Sequence, residues 1–186
     1  MKNNLVVFLD RDGTINPDPG YISSLADYTF YEDTLDALSL LSKYSYKYVI
    51  ITNQSGIARG YFSESDLQKI HDYIKMEFKE AGISLLDIYY CPHHPDDKCK
   101  CRKPGIEFFI QASIKHSIDL KKCYIIGDTL MDMEAGRDLG LKLILVRTGK
   151  GEKTKLEINN QDGQIDFVGY NLMDCIKYII KQENLQ

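Results

Sequence analysis

The stretch "LVVFLDRDGT", residues 5–14, runs from unbroken apolar residues straight into two aspartates and a glycine. Leu5 to Leu9 shows no polar alternation, the pattern of a short strand buried on both faces. "YVIIT" (48–52), "CYIIG" (123–127) and "LILV" (143–146) repeat it. Helical spacings lie between these runs. Leu35, Leu38 and Leu41 form one stripe, and Ile106, Phe109, Ile110 and Ile114 another. A third, Leu67, Ile70, Ile74 and Phe78, is opened by Ser63 with Asp66 as its capping partner. Strands alternating with helices of this length predict an α/β fold: a doubly wound, mostly parallel sheet with helices on both faces. Near the end, "DFV" (166–168) reads as an edge strand, and Leu172, Ile176, Ile179 and Ile180 as a helix closing the core. Residues 15–33 and 53–90 read as short loops and one helical hairpin-like connection, which leaves no room for a separate lid domain.

At 186 residues, 44% hydrophobic and 27% charged, the chain has the material for one ordinary core, so residues 1–186 are expected to form a single domain. A formal net charge of −4, no Trp and no basic stripe interleaved with aromatics argue against nucleic acid and acidic membranes. A local basic pocket for a small anion stays open. The first apolar run is too short for a signal peptide or a membrane span, which predicts a cytoplasmic protein, and we expect a monomer. In that compartment the five cysteines are reduced or metal-bound, with Cys123 and Cys175 as buried core thiols.

In a doubly wound sheet, ligands bind at the carboxyl ends of the strands. There the sequence offers Asp10, Asp12, Thr52, Asn53, Asp128 and Asp132. Asp10 and Asp12 are two apart, so in extended backbone both face one side, and Gly13 lets the chain turn after them. Such crowding is unfavourable without a cation, and Asp128 would complete an oxygen-rich Mg²⁺ site. Alone, an Asp-x-Asp after a strand serves equally as a turn or cap.

"FLDRDGT", a strand ending in Thr52, then Lys103, then "IIGDTLMD" resemble, in order and spacing, the four motifs of the haloacid dehalogenase-like phosphohydrolases, over residues 5 to 147. That resemblance implies a Rossmann-like haloacid dehalogenase fold in which Asp10 is the nucleophile that becomes an aspartyl-phosphate. Asp12 protonates the leaving alcohol and then deprotonates the attacking water. Mg²⁺ is implied on the Asp10 carboxylate, the Asp12 backbone carbonyl and Asp128, with Thr52 and Lys103 holding the phosphoryl oxygens. Asp132 either orients this shell or starts a helix.

A second dense stretch, "CPHHPDDKCKCRKP" (91–104), supplies Cys91-x-His93 and Cys99-x-Cys101. Three thiolates and an imidazole are a soft, closed set for structural Zn²⁺; a redox pair and a loop of idle cysteines are the alternatives. The stretch resembles the zinc loop of the D-glycero-D-manno-heptose 1,7-bisphosphate phosphatases, relatives of the histidinol-phosphate phosphatases. By that likeness His93 is the ligand and His94 a surface or packing neighbour. The zinc would pin the loop so that Arg102 and Lys103 aim at the strand ends. "TNQSGIARGYF" (52–62) and "DPGY" (18–21) resemble the same enzymes' substrate loops. They imply a small phosphorylated sugar that loses its C7 phosphate and keeps that on C1. Arg102 would take the rest of the sugar or the second phosphate, and Asp18, Gly20, Tyr21, Asn53, Gln54 and Ser55 would join Thr52 and Lys103 around it. The chain departs from these enzymes at Thr129, where they carry Lys, and in a shorter segment after Lys103. Rival expectations are a histidinol-phosphate or broader sugar-phosphate phosphatase, a phospho-accepting receiver domain, and a zinc-stabilised nucleic-acid module, the last two disfavoured by "DRDGT" and by the charge.

Overall fold

In the computed structural model, which describes residues 5–158 and 165–185, six parallel strands form one sheet. They are β1 (Val6–Leu9), β2 (Lys47–Asn53), β3 (Leu85–Cys91), β4 (Tyr124–Gly127), β5 (Lys142–Val146) and β6 (Phe167–Gly169). Their order is β3-β2-β1-β4-β5-β6. The chain winds outward from β1 to β3, returns to β1's other side with β4, and winds outward again. The reversal between β1 and β4 opens a crevice at their carboxyl ends.

The helices are α1 (Thr34–Ser42), α2 (Glu64–Glu80), α3 (Glu107–His116), α4 (Leu130–Asp138), α5 (Gly151–Ile158) and α6 (Leu172–Gln182). Alternation along β1 divides the core. Val7 and Leu9 pack with Leu38, Ile70, Ile74 and Ile176, from α1, α2 and α6. Val6 and Phe8 pack with Phe109, Ala112 and Met133, from α3 and α4, on the other face. Apolar side chains on both sides explain why the central strands read as continuous hydrophobic runs.

The expected strands, helices and doubly wound class are present, and the Ser63–Asp66 capping box forms as read, with Asp66 N donating to Ser63 Oγ at 3.1 Å and Ser63 N to Asp66 Oδ2 at 3.2 Å. One element was misread. Leu85–Cys91, assigned above to a helical hairpin-like connection, is edge strand β3, paired with β2 from Tyr48↔Leu85 to Asn53↔Cys91. All its residues but Cys91 are only half-buried, and Asp87, Tyr89 and Tyr90 dilute the apolar run that marks an inner strand. On α3 the expected stripe narrows: Phe109 is buried, but Ile110 is exposed and Ile114 is 77% exposed, so they lie off the core face. The edge strand expected at 166–168 is shifted by one residue. Among the described residues, the segment between β1 and α1 carries only a short 3₁₀ turn, and no lid domain is inserted after β1 or β2.

Candidate active site

Asp10 follows β1 and its backbone N–H donates to Ile126 O of β4 at 3.0 Å, so it sits at the reversal of the sheet. Lys103, 93 residues later in the chain, brings Nζ to 2.7 Å from Asp10 Oδ1. The same ammonium lies 2.6 Å from Asp132 Oδ1 and donates to Ile51 O at 2.6 Å. Two hydrogen bonds and one ion pair thus occupy the ammonium, and the side chain is 3% exposed. Burial alone would lower the lysine's pKa, but Asp10 and Asp132 more than reverse this and raise it.

Asp10, Asp128 and Asp132 bring carboxylate oxygens within 4.8 Å of one another. Burial, with Asp132 and Asp12 adding to it, pushes Asp10 up to about 7 in spite of Lys103. Burial followed by repulsion from Asp10 and Asp132 pushes Asp128 up to about 8. Asp128 Oδ2 accepts from Lys150 N at 2.7 Å, whereas Oδ1 is buried with no hydrogen-bond partner. A buried, unpartnered carboxylate oxygen among crowded acids fits a hard divalent cation, and the all-oxygen set is the chemistry Mg²⁺ prefers. Two glycines make room for this carboxylate. A Cβ on Gly13 (φ +89°) would lie 2.2 Å from Asp128 Oδ2, and one on Gly149 (φ +56°) 2.3 Å from the same atom. Thr148 Oγ1 donates to Gly13 O at 2.6 Å and ties the two loops together.

Asp132 is the helix-start acid that one of the two sequence readings expected, and it also reaches Lys103. Its Oδ2 accepts from Thr129 N at 3.1 Å and Thr129 Oγ1 at 2.5 Å, capping α4, while Oδ1 faces Lys103.

Asp12 lies outside this three-carboxylate cluster. Arg11 Nη2 donates to both Asp12 oxygens at 2.8 Å, Asn16 Nδ2 to Oδ1 at 2.9 Å, and Gln54 Nε2 to Oδ2 at 2.7 Å. Burial raises its pKa, but the Arg11 charge and these hydrogen bonds outweigh burial and hold it below the ordinary carboxylate value. Gln54 also donates to Thr52 Oγ1 at 2.8 Å. The amide is thus committed to the reacting residues, and Gln54 is absent from the cleft lining where substrate contact was expected. Asn53 does line the cleft, but both ends of its amide grip the Lys103 backbone, Nδ2 to O at 3.2 Å and Oδ1 from N at 3.0 Å.

The cleft of about 250 Å³ above Asp10 is lined by Asp12, Asp18, Gly20, Tyr21, Thr52, Asn53, Ser55, Arg102 and Lys103, the expected residues, together with Thr129, Met131 and Lys150. Arg11, Asn16 and the Thr148–Lys150 segment were not singled out from sequence. A lone arginine carries no mark of burial in a sequence, yet Arg11 is 1% exposed beside Asp12.

The loop leaving β3 gathers Cys91 Sγ, Cys99 Sγ, Cys101 Sγ and His93 Nδ1. Cys91 Sγ lies 3.5 Å from both His93 Nδ1 and Cys99 Sγ and 3.4 Å from Cys101 Sγ; Cys101 Sγ lies 3.3 Å from His93 Nδ1. Tetrahedral zinc–thiolate bonds imply edges of about 3.7 Å, close to these, and no cysteine is disulfide-bonded. The donor set fits Zn²⁺. His94 stands apart, accepting at Nδ1 from Asp96 N at 3.3 Å to cap a short turn.

Comparison with known proteins bears on this arrangement. The HAD-hydrolase-like family model matches residues 100–175. The D-glycero-beta-D-manno-heptose-1,7-bisphosphate 7-phosphatase of Haemophilus ducreyi is 41% identical over 93% of this chain and 97% of its own. The chain belongs to the heptose-bisphosphate phosphatase family. It is accordingly a phosphatase with the haloacid dehalogenase fold. The family contains enzymes named for either anomer: the D-glycero-alpha-D-manno-heptose-1,7-bisphosphate 7-phosphatase of Photorhabdus laumondii is 40% identical over 77% of this chain and 83% of its own. The crystal structure of D,D-heptose 1,7-bisphosphate phosphatase from B. bronchiseptica, complexed with magnesium and phosphate, superposes with a TM-score of 0.88 at 31% identity, covering 96% of this chain and 99% of that one.

Proposed function

We propose that the protein removes the C7 phosphate of D-glycero-D-manno-heptose 1,7-bisphosphate, through an aspartyl-phosphate on Asp10. The observation that carries this reading is the Lys103–Asp10 contact at 2.7 Å, made by a loop whose ligand set suits zinc and which ends at the cleft of a heptose-phosphatase family member. Asp10 attacks phosphorus, forming the acyl-phosphate bond as the bond from phosphorus to the C7 oxygen breaks. Lys103 and Thr52 hold the phosphoryl oxygens, and Asp12 gives its proton to the departing alkoxide. Asp12 then takes a proton from the water that attacks the acyl phosphate, releasing inorganic phosphate and restoring Asp10.

Asp12 is held as a carboxylate by Arg11, Asn16 and Gln54, the form needed for the second step. Approach of an anionic phosphate raises its proton affinity and favours the form needed for the first. Mg²⁺, on Asp10, Asp128 and the Asp12 carbonyl, would offset the charge on nucleophile and phosphate. Zn²⁺ on Cys91, His93, Cys99 and Cys101 would fix the loop without taking part in the reaction, since all four positions are protein ligands. Arg102, Asp18, Gly20, Tyr21 and Ser55 surround the sugar; Asn53 and Gln54 act through Lys103 and Asp12.

One continuous sheet carries the cleft at its strand ends, which supports a single domain; we take it to act as a monomer. No described helix is long and apolar enough to cross a membrane, and the undisulfided cysteines suit the cytoplasm. The test is phosphate release from the heptose bisphosphate with Mg²⁺, beside histidinol phosphate, with Asp10→Asn as the blank. Asp10-dependent release from the heptose supports the reading; faster release from histidinol phosphate overturns the substrate.

A further inference from the structure

The cleft must hold two phosphates if the substrate reading is right, and its cations are few. Arg102, Lys103 and Lys150 line it, against Asp10, Asp12 and Asp18. Lys103 is fully engaged at the reaction centre by Asp10, Asp132 and the Ile51 carbonyl. The charge for the second phosphate therefore has to come from Arg102 or Lys150. These residues rise from the loops after β3 and β5, on either side of the β1–β4 crevice.

We propose that Lys150 recognises the phosphate that stays on the sugar, and so sets the preference for a bisphosphate; this rests on the substrate reading above. Its main chain is anchored, N donating to the buried Asp128 Oδ2 at 2.7 Å, so the side chain starts from a fixed point beside the metal-site acids. Its ammonium rests on Asp18 Oδ2 at 2.8 Å, with side-chain exposures of 64% for Lys150 and 10% for Asp18. An ammonium so open to water can change partners readily, and a phosphate dianion is a stronger partner for it than a single carboxylate. Exchange also frees one oxygen of Asp18, while its other oxygen keeps the hydrogen bond from Gly20 N at 3.0 Å. The released carboxylate oxygen is then an acceptor for a sugar hydroxyl. Asp18 thus holds the ammonium that the substrate's second phosphate takes over.

The experiment compares kcat/KM for the heptose 1,7-bisphosphate with that for the same heptose carrying only the 7-phosphate. Lys150→Met is expected to lower the ratio of the two about tenfold, the worth of one charge-assisted contact. Lys150→Arg, which keeps the charge, is expected to retain most of it. An unchanged ratio in Lys150→Met overturns the proposal. So does an equal loss on both substrates, which would mean that the ammonium acts on a feature the two substrates share. Failure of the substrate reading shows itself separately, in the unaltered enzyme: no preference for the heptose bisphosphate over histidinol phosphate removes that reading and this inference with it.

Discussion

Asp10 is held almost out of water beside two further carboxylates, with one ammonium to offset them. Replacing it with Asn removes the nucleophile and relieves repulsion together. Asp10→Asn should lower phosphate release at least about a thousandfold, while its metal-free thermal midpoint stays level or rises. A lost midpoint, read by circular dichroism, would contradict this account of the site. His71 poses the opposite problem. It is 2% exposed, its Nε2 has no hydrogen-bond partner, and burial, with Arg11 and Lys75 adding to it, lowers its pKa from 6.5 to about 3. The unfolded chain therefore binds a proton that the folded chain refuses, and stability is lost as pH falls from about 6.5 towards 3. His71→Leu should remove this contribution. Relative to its own stability near pH 7, the variant should keep roughly 2 kcal/mol more than the parent near pH 5, measured by urea unfolding.

At the scale of elements, loops deliver the chemistry and strands locate it. The loop of three cysteines and His93 leaves β3 beside Asn53, and Asn53 clamps its far end at the Lys103 backbone. Cys99→Ser, or zinc removal by a chelator with Mg²⁺ kept in excess, should cost activity about a hundredfold through lost placement of Lys103 and Arg102. Faster proteolytic cleavage within 91–105 should accompany it, while the sheet's circular dichroism persists. The loop after β5 is as tightly specified. Gly149 adopts a φ of +56° with Asp128 Oδ2 where a Cβ would stand. Gly149→Ala should therefore weaken Mg²⁺ binding and activity by about tenfold or more, seen as a raised Mg²⁺ requirement at unaltered overall fold.

Across the whole molecule, the winding that closes the core also brings acids together, and folding concentrates their repulsion. Asp10 and Asp128, raised from 3.8 to about 7 and about 8, hold protons in the folded chain that they release when it unfolds. Their contribution to metal-free stability is complete below about pH 4 and is lost as pH rises through 7 and 8. Mg²⁺ offsets that loss and competes with those protons. The Mg²⁺-induced rise in thermal midpoint should consequently be larger at pH 8 than at pH 6, and an equal rise at both would mean that these carboxyls do not hold the ion. By itself the sequence determined the inner strands, the α2 cap, the strand-end aspartates and the four soft ligands, because each rests on local periodicity or on short spacing. It did not mark β3, whose half-buried edge position dilutes the apolar signal, nor Arg11 and Lys150. A lone cation in a sequence carries no sign of being buried or of facing a cleft. Only the tertiary structure decided that Lys103 meets Asp10 across 93 residues, that Asp132 joins the acidic cluster, and that Asp12 is held by its own neighbours. Those outcomes depend on which strands become neighbours in the sheet, and strand order is set by how helices cover both faces rather than by any single stretch of residues.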